Sequence, residues 1–142
     1  MLIRNIMSAP PVVVTLDDTV STVKNLFASH NIHHMLVVED CKLVGVLCEV
    51  DLMRVVSPYI DSHVYSTRDL ATLKQRVHQV VTRDPKRLPA TASVLQAMKL
   101  FNVYSVCCIP VVDEHDVPVG IVTRGSLIQY IQSAFEAELD SE

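Results

Sequence analysis

The chain has 142 residues, 49% of them apolar and 20% charged. That is a folded globular composition, sized for one domain or two half-domains sharing a core, and it excludes a disordered chain. A formal net charge of −4 gives no basic footprint for nucleic-acid binding. No apolar run approaches the ~18 residues that a membrane crossing needs. No basic region followed by a long apolar stretch opens the chain, so no signal peptide is expected and the expected location is the cytoplasm.

Val12 to Thr15 is a β-branched run behind Pro10 and Pro11 and predicts a strand with a stiff start. Asp17 or Asp18 offers an N-cap, and Val20, Val23, Leu26 and Phe27 follow at helical spacing. That helix should end at His30 and Asn31. Met35–Val38 and Leu43–Leu47 are continuous apolar runs joined by Glu39, Asp40, Cys41 and Lys42, as in a hairpin buried on both faces. Glu49 to Val56 predicts a short helix that stops at Ser57 and Pro58. Residues 57–68 read as a connector. Leu70, Leu73, Val77 and Val80 then line one face of a helix expected over 69–81.

A second copy of the first pattern begins near Val80. Leu88 falls in its first strand, Thr91 caps a helix carrying Val94, Ala97, Met98 and Phe101, and two strands follow at 107–112 and 117–122. A last helix is expected over 124–138. Val38 aligns with Val112 and Gly45 with Gly120, so the two copies keep one register apart from a residue inserted in the turn. A chain written twice at this period is a structural repeat. Each half buries too little surface to be stable alone. The fold class expected is α/β (α+β), two repeats of β-α-β-β-α related by a pseudo-twofold axis. Residues 1–56 form the first repeat, 57–79 a connector with an amphipathic helix, and 80–142 the second repeat with a C-terminal helix.

The four cysteines, Cys41, Cys48, Cys107 and Cys108, form no C-x-x-C pair, and three lie in or beside apolar strand-like segments. In a reducing compartment this reads as buried thiols behaving as small hydrophobes. His30, His33 and His34 cluster, but no spacing matches a closed zinc site, and no metal is expected. With only Gly45, Gly120 and Gly125 there is no Gly-rich phosphate loop, and no nucleophile elbow occurs. An enzyme is not expected. Gly45 and Gly120, inside strands, mark close backbone approach.

The repeated order of apolar strand, acidic turn, Gly followed by two apolar residues, and a polar knuckle opening a helix resembles the CBS (cystathionine β-synthase) domain, and the tandem pair resembles a Bateman module. The resemblance extends to Ile6, Met7 and Ser8, which match Val80, Val81 and Thr82. It implies a cleft between the repeats for an adenosyl ligand such as AMP, ADP, ATP or S-adenosylmethionine, held by a knuckle Asp on the ribose and a Thr or Ser on phosphate. A carboxylate accepts hydrogen bonds from both hydroxyls of a diol, while a hydroxyl and helix-start amides donate to an anion. Thr123 is the matching hydroxyl in the second copy, Arg124 adds a charged donor, and Ser126 stands where the ribose Asp is expected. In the first copy Asp51 matches the ribose ligand, and Cys48 replaces the hydroxyl. The resemblance also makes His34, and secondarily His33, phosphate neighbours at the start of the buried strand, and puts Val80, Ile109 or Pro110 against the ring.

The function implied is a stand-alone regulatory, energy-sensing module with no required cofactor. It would form a homodimer through its helices and signal to a separate regulated protein, without nucleic acid or membrane. The alternative is a structural or protein-interaction module whose degenerate clefts bind no nucleotide.

Overall fold

A computed structural model of the chain describes residues 1–57, 59–60 and 66–141. The elements are β1 (Val13–Thr15), α1 (Val20–His30), β2 (His34–Glu39), β3 (Lys42–Cys48), α2 (Glu49–Met53), α3 (Thr67–Ala71), β4 (Thr82–Arg83), β5 (Leu88–Pro89), α4 (Val94–Val103), β6 (Cys108–Val112), β7 (Pro118–Thr123) and α5 (Arg124–Asp140). Short 3-10 turns occupy Ile3–Asn5, Thr72–Lys74 and Val77–Gln79. The β-α-β-β-α order therefore occurs twice, as β1-α1-β2-β3-α2 and β5-α4-β6-β7-α5. Part of the expected connector, at 58 and 61–65, lies outside the described residues. The chain divides into two compact units: Val12–Pro85, and Met1–Pro11 together with Lys86–Glu142.

In the Val12–Pro85 unit the sheet order is β1-β2-β3-β4, with β1 parallel to β2 and the other pairs antiparallel. Asp40 (φ 51°) and Cys41 (φ 68°) form the hairpin loop between β2 and β3. Positive φ at both central residues gives the turn a twist that matches its strands. Val20, Val23 and Phe27 of α1 pack on Met35, Val37, Leu47, Leu52 and Val77 in a closed apolar core. Burying a side chain of this size is worth roughly 1.5–3 kcal/mol. Asn31, in the left-handed region at φ 50°, ends α1 as expected.

Two local expectations are corrected here. The cap of α1 is Thr19, whose hydroxyl accepts the Thr22 N–H at 3.2 Å, while Asp18 turns back to accept the Thr15 N–H at 2.8 Å. The helix expected over 69–81 is broken at Gln75, which is extended at ψ 153°. The backbone around the break pairs with the β1–α1 loop: the Val20 N–H donates to the Gln75 carbonyl at 2.8 Å, and the Val77 N–H to the Asp18 carbonyl at 2.9 Å. Three hydrogen bonds to the loop, counting His78 N–H to Leu16, replace helical ones that the sequence period alone suggested.

The other unit has the sheet β5-β6-β7, with β5 parallel to β6 and β6 antiparallel to β7. Ala92, Val94, Ala97, Ile109, Val111, Val122 and Leu127 make its core. The cap of α4 is Ser93 in a reciprocal box with Gln96, two residues later than the expected Thr91. Ile3, fully buried, joins this core from the N-terminus. Ser8 exchanges two backbone hydrogen bonds with Ile121, at 2.9 and 3.0 Å. In the Val12–Pro85 unit the matching residue Thr82 pairs with Val46. Each copy's leading segment thus completes the sheet of the opposite copy.

The two strand glycines serve that crossover. A Cβ on Gly45 would meet the Val81 side chain and sit 2.9 Å from the Thr82 carbonyl oxygen; one on Gly120 would meet the Met7 side chain and sit 3.1 Å from the Ser8 carbonyl oxygen. The free thiols are Cys41, exposed, and Cys108, buried; Cys48 and Cys107 are not free, which corrects the expectation of four thiols. Among the described residues no helix is long and apolar enough to cross a membrane.

Candidate functional site

In both copies the hairpin's second strand runs directly into a helix, and the residue at the junction is the helix cap. Thr123 closes β7 opposite Cys108 and caps α5. Cys48 closes β3 opposite His34 and sits at the cap position of α2, with no side-chain capping bond to the helix start. The two junctions are thus equivalent in register and different in chemistry.

At the first of these, the Thr123 hydroxyl accepts the Ser126 N–H at 3.2 Å, and the Ser126 hydroxyl both accepts the Thr123 N–H at 3.0 Å and donates to the Thr123 carbonyl at 2.8 Å. Ser126 is therefore engaged in a capping box. α5 is 17 residues long, so its start carries the positive end of a long helix dipole. The Arg124 guanidinium lies 5.5 Å from the centroid of the Phe101 ring on α4, a contact with no signature in the sequence. The junction thus combines a hydroxyl, a helix N-terminus and a cationic first residue. Ile109 and Pro110 of β6 are fully buried, and burial pushes the neighbouring Cys108 thiol up to about 12.

The Asp51 junction has the opposite character. Asp51 sits in the first turn of α2, half-buried, with Arg54 Nη1 3.5 Å from its Oδ1. Such an exposed ion pair is weak and exchangeable. His33 Nδ1 lies 2.6 Å from Glu49 Oε2, and the Glu49 N–H donates to the His33 carbonyl at 2.9 Å. His33 thus ties the start of β2 to the start of α2. His34 opens β2, half-buried, across from Cys48.

The predicted residues divide between the units. His33, His34, Cys48 and Asp51 are together in Val12–Pro85, and Thr123, Arg124, Ser126, Ile109 and Pro110 are together in the other unit. Val80 packs against the core that holds Phe27 and Leu47, in the Asp51 unit. Its repeat counterpart Ile6 packs on the core beside Thr123's helix. The repeat offset pairs Ile6 with Val80 but does not say which sheet each joins, and the structure puts Ile6 with the Thr123 unit.

The profile of the CBS domain matches residues 3–58 and 77–133. A CBS domain-containing protein of Dictyostelium discoideum is 25% identical over 138 residues, covering 96% of this chain and 94% of its own length. Among solved structures, the CBS domain pair of protein MJ0100 in complex with 5′-methylthioadenosine and S-adenosyl-L-methionine superposes with TM-score 0.76 at 24% identity, covering 94% of this chain and 98% of that one. CBSX2 of Arabidopsis thaliana, solved in complex with AMP, superposes with TM-score 0.75 at 20% identity, covering 94% and 97%. With the profile spanning both strand–helix junctions and both leading segments, this chain belongs to the CBS domain family, as a tandem pair.

Proposed function

We propose that the chain is a regulatory module that binds an adenosyl ligand at its strand–helix junctions and signals that occupancy to a separate protein. The observation that carries the reading is the Thr123 junction, where a hydroxyl meets the N-terminus of a 17-residue helix whose first residue is the cationic Arg124. That set suits the phosphate of AMP, ADP or ATP. The Asp51 junction lacks a phosphate donor at Cys48 and keeps a carboxylate, which suits the ribose diol of a ligand without phosphate, such as S-adenosylmethionine. His34 and His33 stand at the strand start beside it, and Val80 and Ile6 are the apolar residues of the leading segments in the respective units. Two similar CBS pairs carry ligands of these two kinds, AMP in one and S-adenosyl-L-methionine with 5′-methylthioadenosine in the other. The chain acts as a homodimer in this reading and performs no catalysis itself.

Calorimetric titration with AMP, ADP, ATP and S-adenosylmethionine at up to millimolar ligand tests the reading, and binding heat is expected for at least one. A second reading, a protein-interaction module without nucleotide, is favoured by the closed hydrogen bonding of Ser126. Silence across the four ligands selects it.

A further inference from the structure

Two aromatic rings at the end of α4 each carry a cation. The Arg124 guanidinium lies 5.5 Å from the centroid of the Phe101 ring, and the Lys86 ammonium lies 4.4 Å from that of Tyr104. Phe101 falls in the last turn of α4, and Tyr104 is its C-cap. Phe101 is half-buried and Tyr104 is 45% exposed, so the rings form an anchored platform under two exposed cations. Stacking uses the face of a guanidinium and leaves its N–H edges free, and an ammonium over a ring keeps donors on its outer side.

Strand register puts both cations at one end of the same compact unit. Thr123, just before Arg124, pairs with Cys108, the first residue of β6. Leu88 pairs in parallel with Val111, so Lys86, two residues earlier, is level with Ile109 at that same end. The two cations therefore approach the start of β6 from its two flanks, β5 and β7, whose backbones stand two strand spacings apart, about 10 Å. Neighbouring acids do not cancel them. Asp116 is taken up by Arg87 in two hydrogen bonds of 2.7 and 2.9 Å, and the first turn of α5 holds no acid. Among the described residues no carboxylate pairs with Lys86 or Arg124.

We propose, resting on the nucleotide reading of the Thr123 junction, that Lys86 is its second phosphate cation, so that this junction selects ADP and ATP over AMP. A single phosphate held at Thr123 and Arg124 does not reach the β5 side of β6. A di- or triphosphate chain extends toward Lys86 and gains a charge-assisted contact there. Tyr104 is a positioning residue, since its ring holds the ammonium. Two cations suit a small polyanion; a nucleic acid needs a longer basic track than a chain of net charge −4 provides.

Calorimetric titration of the full chain with AMP, ADP, ATP and S-adenosylmethionine, without divalent metal, tests this. ATP is expected to bind about tenfold tighter than AMP, the usual scale of one hydrogen bond to a charged group. Lys86→Gln removes that preference and leaves the AMP affinity unchanged, while Lys86→Arg keeps the preference. Lys99→Gln, which removes an exposed cation elsewhere on α4, keeps it as well. Tyr104→Phe retains the preference and Tyr104→Leu reduces it severalfold, each with unchanged far-ultraviolet circular dichroism. Equal affinity for AMP and ATP in the wild type, a preference that survives Lys86→Gln, or one lost equally in Lys99→Gln overturns the proposal and leaves the nucleotide reading standing. Binding of S-adenosylmethionine alone overturns the proposal and leaves the adenosyl-ligand reading standing. No heat from any of the four ligands overturns both.

Discussion

Thr123 caps α5 with its hydroxyl, and in the proposed reading the same hydroxyl faces the ligand's phosphate. Thr123→Ala is expected to lower stability by about 1 kcal/mol, the usual worth of a Thr cap, and Thr123→Ser to restore it; urea denaturation of the three proteins checks this. Ser126 shows the limit of the ribose assignment, because its hydroxyl is bound to the Thr123 backbone on both sides. Ser126→Asp keeps a residue able to close the capping box and returns a carboxylate to the junction, and it is expected to tighten an adenosyl ligand severalfold in calorimetry. The cysteines separate by environment. Cys41 is exposed on a hairpin tip, and Cys108 is buried with its thiol held up to about 12 by loss of solvation. Iodoacetamide at pH 8 should modify Cys41 in the native protein and spare Cys108 until the chain is unfolded.

The crossover of the leading segments places its tightest constraint on the strand glycines. At Gly45 an added methyl faces the Thr82 carbonyl as well as Val81, whereas at Gly120 it meets mainly the flexible Met7 side chain. Gly45→Ala is therefore expected to cost about 1–3 kcal/mol and Gly120→Ala less, measured by denaturant unfolding. Around α3, Asp69 accepts from the Ser57 hydroxyl at 2.6 Å and from the Ser66 N–H at 2.8 Å, and these bonds, the Ser57 one foremost, hold its carboxyl below the usual carboxylate range. A carboxylate with a depressed folded value stabilises above its unfolded pKa and loses that contribution as pH falls through the folded one. Asp69→Asn should consequently be less stable than wild type at pH 7, with the gap closing below about pH 4. The elements best legible in the sequence were those whose apolar period matches a buried face, such as α1 with Val20, Val23 and Phe27 or the β2–β3 hairpin. The helix expected over 69–81 failed for the opposite reason. Leu70, Leu73, Val77 and Val80 keep a helical period, yet the backbone at Gln75 and Val77 is spent on hydrogen bonds to the β1–α1 loop, which no periodicity encodes.

Duplication is what makes this molecule readable. Matching Gly45 with Gly120 and Cys48 with Thr123 pointed to the two junctions, and these occupy equivalent positions at the ends of β3 and β7. Side chains that depend on tertiary placement were not legible: the Arg124–Phe101 stack, the His33–Glu49 pair, and Ile6 as the apolar residue that belongs with Thr123. Divergence at the junctions, a hydroxyl at Thr123 and a carboxylate at Asp51, lets mutation test the proposed ligand reading at each one separately. Parallel calorimetric titrations of wild type, Thr123→Ala and Asp51→Ala with AMP and with S-adenosylmethionine test the central claim most directly. A loss of roughly 1–3 kcal/mol of binding free energy is expected for AMP in Thr123→Ala and for S-adenosylmethionine in Asp51→Ala, at whichever junction is occupied. Equal affinities in all three proteins, or no binding heat from either ligand, would contradict it.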